Sequence, residues 1–208
     1  MAYKTFASIN IAVIGDGKVG EALAKGLAYA EHNIFIGIKD EFTRISEDVF
    51  HEFGNIALTS IEYAAAVADI IFITTPASEV REAAYLLDDV RHKIIVDMSG
   101  FNSNFDNYFH TTNAIHAITY SPNVVKCYSD NGHSDLINLF ARDKRREIYV
   151  AGDNRKSKEV VKLLMRDFGF AQCYDFGGHE SISLLDEKMM LTGSITFKKS
   201  KVVIETKQ

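Results

Sequence analysis

The sequence predicts an α/β fold, a doubly wound parallel sheet followed by a short C-terminal extension, and two observations carry that prediction. Apolar runs of strand length alternate with segments whose apolar residues recur at helical spacing. Those runs are nearly continuous rather than alternating apolar with polar, as strands covered on both faces require. Composition agrees: of 208 residues, 47% are hydrophobic and 25% charged, with 13 Gly and 2 Pro, which excludes disordered, collagen-like and repeat architectures. A chain of this size buries roughly 70% of the surface its unfolded form exposes, enough for one substantial core.

The elements follow in order. Ile9–Ile14 reads as the first strand, ending at Gly15, and Val19, Leu23 and Leu27 mark the helix after it. Ile34–Ile38 is the second strand, Ile56–Leu58 a short third, Asp69–Thr74 the fourth and Ile94–Asp97 the fifth. Helices are expected at about Phe42–Glu52, Ile61–Val67 and Ser78–Leu87, the last opened by Pro76 with Ser78 as its N-cap. The second half is less regular. Val124–Cys127, Ile148–Ala151 and Cys173–Asp175 read as further strands, and Ser157–Phe168 as an amphipathic helix closed by Gly169.

Gly15-Asp16-Gly17-Lys18-Val19-Gly20 places GxGxxG directly between a strand and a helix, the arrangement of the NAD(P)-binding Rossmann fold. Gly15 allows the tight turn, Gly17 lets a pyrophosphate approach the backbone, and Gly20 lets the helix pack closely on the sheet. The helix N-terminus then offers unpaired N–H groups and a partial positive charge to the phosphates. A glycine-rich turn with no ligand is the plainer alternative, and the flanking strand and helix argue against it. With no linker rich in Gly, Pro or Ser, residues 1–191 read as one NAD(P)-binding domain and 192–208 as a tail or added strand.

The end of the second strand selects the dinucleotide, because an acid there holds the ribose 2′-hydroxyl of NAD and repels the 2′-phosphate of NADP. Ile38 offers no carboxylate at that position, while Lys39 and Arg44 offer positive charge. The reading favours NADP; Asp40 carries the NAD alternative should the strand run longer. Thr74-Thr75-Pro76 and Met98-Ser99-Gly100 close the fourth and fifth strands, at the crevice where open parallel sheets bind ligands. There they suit the ribose and nicotinamide, although any one of them taken alone is ordinary loop chemistry.

Other chemistries find less support. The net charge of −5 repels a nucleic-acid backbone, and no apolar stretch approaches the roughly 18 residues of a membrane span, so a cytoplasmic location is expected. Cys127 and Cys173 form no CxxC pair and read as buried thiols. No HxxxH, HExxH or carboxylate cluster suggests a metal, and the histidines, of which His116 and His133 lie nearest in sequence to the expected cleft, read as surface or hydrogen-bonded residues, so no catalytic base is assigned.

The glycine loop, Ala68–Pro76, Val124–Ser129, Tyr149–Asp153 leading into Ser157-Lys158, and Asp175–Gly178 together resemble the deazaflavin-dependent NADP oxidoreductase family, which uses coenzyme F420. The resemblance extends to about Leu185. It implies an NADPH-binding domain in which hydride passes between nicotinamide and a flavin-like ring. It also implies 2′-phosphate contacts from Lys39 with Thr43 or Arg44. Position at the carboxyl ends of three strands is what places Thr75, Pro76, Met98, Ser99, Lys126 and Ser129 around the expected nicotinamide. Where relatives read Lys-Ala-Phe-Asn, this chain has Lys126-Cys127-Tyr128-Ser129, and the loop Asp130–Ser134 departs from the apolar, proline-bearing loop of that family. The acceptor therefore stays open between a deazaflavin, a flavin and another small redox molecule. Lys126 is the candidate for stabilising charge on that acceptor, and homodimerisation is left open. A non-catalytic NADP-binding redox sensor or partner-binding module is the competing class.

Overall fold

The computed structural model describes residues 7–39, 45, 47–99, 111–129 and 147–186. The strands are β1 (Asn10–Ile14), β2 (Asn33–Ile38), β3 (Ile56–Ser60), β4 (Ile70–Ile73), β5 (Ile94–Asp97), β6 (Val124–Ser129), β7 (Glu147–Ala151) and β8 (Gln172–Gly177). The helices are α1 (Lys18–Tyr29), α2 (Glu47–Glu52), α3 (Ile61–Val67), α4 (Val80–Tyr85), α5 (Thr111–Thr119) and α6 (Arg155–Phe168). All eight strands join one sheet in the order β3-β2-β1-β4-β5-β6-β7-β8.

Alternate residues of each strand point to opposite faces, and here both faces are covered. Ile11 and Val13 of β1, with Ile70 and Phe72 of β4, pack under α1, α2 and α6 through Leu23, Leu27, Val49 and Leu164. Ala12, Ile14, Ile71 and Ile73 pack the other way, under α3, α4 and α5, through Ala64, Ala84 and Ile115. This two-sided burial is why the strands read as continuous apolar runs. β1 pairs with β2 on one side and β4 on the other, so Gly15 emerges where the winding direction reverses.

The structure corrects the sequence reading in several places. β1 to β6 are parallel, but β7 runs antiparallel to β6, and β8 runs parallel to β7. A short buried strand carries the same apolar signature in either direction, so its sense was not readable from residue pattern. The turns Gly152–Asn154 and Gly177–His179 consequently lie at the sheet edge opposite Gly15. After Pro76 the chain makes a turn in which the Glu79 N–H donates to the Pro76 carbonyl at 2.9 Å. That turn delays α4 to Val80, with Glu79 rather than Ser78 at its N-cap. α2 occupies only the C-terminal part of its expected span, residues 41–44 lie outside the described residues, and α5 was not expected at all. β3 runs on to Ser60 as a half-exposed edge strand. Residues 192–208, expected as a tail or added strand, lie outside the described residues.

α6 begins two residues before its expected start because Asn154 caps it, its Oδ1 accepting from the Ser157 N–H at 3.1 Å. The same side chain donates from Nδ2 to Asn123 Oδ1 at 2.6 Å, tying α6 to the segment entering β6. At the other end Gly169 takes φ +118, a left-handed cap as expected. Asn154→Ala removes both contacts and is expected to lower stability by about 1–2 kcal/mol in a urea titration. An unchanged midpoint would show that the cap is dispensable.

Candidate functional site

The three motif glycines do different work. Gly15 sits at φ +116, and its N–H donates to the Gly37 carbonyl at 3.1 Å, tying the turn to β2. A Cβ on Gly20 would lie 2.2 Å from the Gly15 carbonyl oxygen and 2.9 Å from Thr74 Oγ1. No side chain fits there, which is the close helix packing the motif implies. Gly17 is the exception: its φ of −74° and ψ of 172° suit any residue, and an added Cβ meets no described atom within 4 Å. The fold itself gives no reason for glycine at position 17. Gly17 also brings no side-chain cap to the first N–H groups of this 12-residue helix, which have no partner within the helix itself. A cradle that a side chain would fill is what a dinucleotide pyrophosphate requires, and these residues fit one.

Beside the turn stand the ends of β4 and β5. Thr74 Oγ1 donates to the Ile14 carbonyl at 2.9 Å, locking β4 to the base of the glycine turn. The Met98 N–H donates to the Ile73 carbonyl at 2.9 Å and extends the β4–β5 pairing past the last strand residue. Thr75 is 9% exposed, and its Oγ1 is buried with no hydrogen-bond partner among the described residues. Leaving a buried hydroxyl unpaired costs about 1–3 kcal/mol, so a polar partner arriving with a ligand would recover that loss. Pro76 lies exposed at the rim.

Deeper in, Asp97 is fully buried at the end of β5 and is saturated with donors. Its Oδ1 accepts from the Ser99 N–H at 3.0 Å and the Ser99 hydroxyl at 2.6 Å. Its Oδ2 accepts from the hydroxyls of Thr111 at 2.6 Å and Thr112 at 2.7 Å, and from Lys126 Nζ at 3.2 Å. Burial alone would raise the Asp97 pKa, but the Lys126 ammonium and the three hydroxyls outweigh it and hold the carboxyl below the usual carboxylate range. Lys126 also donates to the Ser99 carbonyl at 3.4 Å and the Thr111 hydroxyl at 3.3 Å, with Asp186 Oδ1 at 3.9 Å. Lys126, expected to face a redox acceptor, is thus only 3% exposed, and its ammonium is spent on joining β5, β6 and α5.

At the end of β2, Ile38 is half-buried against the α1 side of the core and Lys39 projects outward. Lys39 Nζ forms an ion pair with Glu82 Oε1 of α4 at 2.5 Å. Asp40, Thr43 and Arg44 lie outside the described residues. The expected residues therefore assemble as two groups: the glycine turn with Thr74, Thr75 and Met98, and a buried group of Ser99 and Lys126. Ser129 is buried at the far end of β6, three residues beyond Lys126.

Sequence reasoning missed Asp97 as an organising group, Thr111 and Thr112 as its donors, and Glu82 as the partner of Lys39. Adjacent threonines followed by Ala114, Ile115 and Ile118 at helical spacing were the available signal for α5. Among the described residues no group of three or more His, Cys, Asp or Glu could hold a metal ion. Among them, too, no helix is long and apolar enough to cross a membrane.

Residues 10–100 match the sequence model of a family described as coenzyme F420-dependent NADP oxidoreductases. No curated protein matches the chain in sequence. A candidate F420-dependent NADP reductase from Arthrobacter sp. FB24 superposes with a TM-score of 0.76 at 21% identity, over 93% of this chain and 94% of its own. A hypothetical protein from Sinorhizobium meliloti gives a TM-score of 0.66 at 19% identity, covering 85% of this chain and 87% of its own. An imine reductase from Myxococcus stipitatus, solved with NAD+, gives 0.62 at 18% identity, over 93% of this chain and 63% of its own. At these identities the neighbours establish the fold, a Rossmann-type sheet, and the family match supports an NAD(P)-dependent oxidoreductase. The stretch of residues 10–100, which carries the glycine turn, Thr74–Pro76 and Asp97–Ser99, is thus the part of the chain that matches the F420-dependent NADP oxidoreductase family.

Proposed function

We propose that this protein is an NADPH-dependent oxidoreductase that passes hydride between NADP and a flavin-like acceptor, a deazaflavin or flavin, or another small redox molecule. The observation that carries the reading is Gly17, a glycine with no role in the fold at the point where a pyrophosphate would lie. The nicotinamide supplies the hydride chemistry, so the protein's task is binding, orientation and electrostatics. Gly15 to Gly20, including Asp16, Lys18 and Val19, would hold the pyrophosphate. Lys39, with Thr43 and Arg44, would hold the 2′-phosphate, with Ile38 beneath the adenosine ribose. Thr74, Thr75, Pro76 and Met98 would line the remaining crevice, Thr75 offering its unpaired hydroxyl, with the buried Ser99 and Ser129 as its backing. Lys126 acts by position: held by Asp97, it fixes the end of β5 and the middle of β6 against α5 and so shapes the crevice floor. No general acid is required for hydride transfer to a flavin-like ring.

The test has two stages. Calorimetric titration should show NADPH binding more tightly than NADH at one ionic strength. Oxidation of NADPH should then be followed with deazaflavin, flavins, ferric chelates and quinones in turn. Turnover with one of them names the acceptor. Tight NADPH binding with turnover of none would identify a redox sensor instead, and binding of neither dinucleotide would overturn the reading.

A further inference from the structure

We propose that Glu82 sets the choice between the phosphorylated and unphosphorylated dinucleotide, by competing with the coenzyme's 2′-phosphate for Lys39. The inference rests on the dinucleotide reading above and adds a specificity residue to it. Lys39 stands immediately after β2, where Rossmann proteins meet the 2′ position of the adenosine ribose. Glu82 comes from a different quarter, the first turn of α4 beyond the end of β4. The sheet order β2-β1-β4 puts the end of β1, with its glycine turn, between the two. The ion pair from Lys39 Nζ to Glu82 Oε1, at 2.5 Å, therefore reaches across the crevice corner.

Its energetics make it exchangeable. Both side chains are 57% exposed, and pairs exposed to that degree contribute little to stability because water and salt screen them. A 2′-phosphate carries more charge than a carboxylate and would take Lys39 from Glu82, but it must first displace that carboxylate and then tolerate it nearby. A 2′-hydroxyl meets no such repulsion and can donate to the carboxylate. Glu82 thus penalises NADPH selectively, while Lys39 favours it. The preference is the balance of the two, and loss of the Glu82 charge shifts it toward NADPH.

Glu82→Gln tests this directly, since the change is isosteric, surface-exposed and no threat to the core. In calorimetric titrations of the full chain at low salt, NADPH is expected to bind roughly threefold to fivefold more tightly in the variant, with NADH weakened or within twofold of its original affinity. The NADPH gain should shrink as salt is raised. A second variant, Lys39→Ala, should weaken NADPH and leave NADH within twofold. If the parent binds NADPH but Glu82→Gln leaves the NADPH to NADH ratio unchanged, the proposal is wrong and the dinucleotide site stands. If Glu82→Gln weakens NADPH, Glu82 orients Lys39 toward the phosphate rather than competing for it, and the proposal is equally overturned. If the parent binds neither dinucleotide, the functional reading itself fails and the proposal falls with it.

Discussion

Gly17→Val should abolish nicotinamide-dinucleotide binding in a chain that still folds. At φ −74° and ψ 172° the position lies in the extended region that β-branched residues favour, and no described atom lies within 4 Å of the added Cβ. Thermal unfolding should therefore shift little, by less than about 1 kcal/mol of stability. Binding is another matter, because the new side chain occupies the surface against which the pyrophosphate packs. A rise in Kd of at least about 100-fold for NADPH and NADH alike is expected, equivalent to roughly 2.7 kcal/mol. Gly20→Val offers the contrast: its Cβ would collide with the Gly15 carbonyl, so binding and stability should fall together. A folded Gly17→Val chain with unchanged affinity would refute the phosphate cradle.

The second large effect belongs to Asp97. Asp97→Ala leaves the Lys126 ammonium buried, with the Ser99 carbonyl, the Thr111 hydroxyl and a more distant Asp186 for company. Removing one member of a buried pair costs about 3–5 kcal/mol, a large share of the roughly 5–15 kcal/mol that typical domains possess. Urea unfolding should show that loss, and Lys126→Met should lose less, because Asp97 keeps its hydroxyl and backbone donors. The carboxyl also makes stability depend on pH. Since its folded pKa is depressed, its contribution is fully present above the unfolded carboxylate pKa of about 4 and is lost as pH falls through the lowered folded value. The stability gap between the parent and Asp97→Asn should accordingly narrow below about pH 4. A gap that stays constant through that range would show that the carboxyl is not ionised in the fold.

Most of the fold was legible because two-sided burial writes itself into sequence as unbroken apolar runs, as in Ile11–Ile14 and Ile70–Ile73. What was not legible were relations between distant segments. The reversal at β7 depends on how Ile148 and Val150 meet Ser129 and Cys127 across a long connection, and neither residue pattern contains that direction. The glycine turn was readable since its signature is local: the three glycines fall within six residues, between a strand and a helix. Asp97 was not, because its meaning comes from Thr111, Thr112 and Lys126, contributed by other elements. Lys39 was found through its place after β2, while Glu82, on a helix beginning beyond β4, had no local mark to connect the two.

The reversal of β7 separates the molecule into a working edge and a handling edge. The first turn of α6 opens away from the glycine turn, and Lys156 is exposed there. Both native thiols are poor competitors for a maleimide: burial pushes Cys173 up to about 11 and raises Cys127 further still. A thiol introduced by Lys156→Cys is therefore the position of choice for immobilising the protein on a surface or attaching a dye, with the dinucleotide crevice left facing solution.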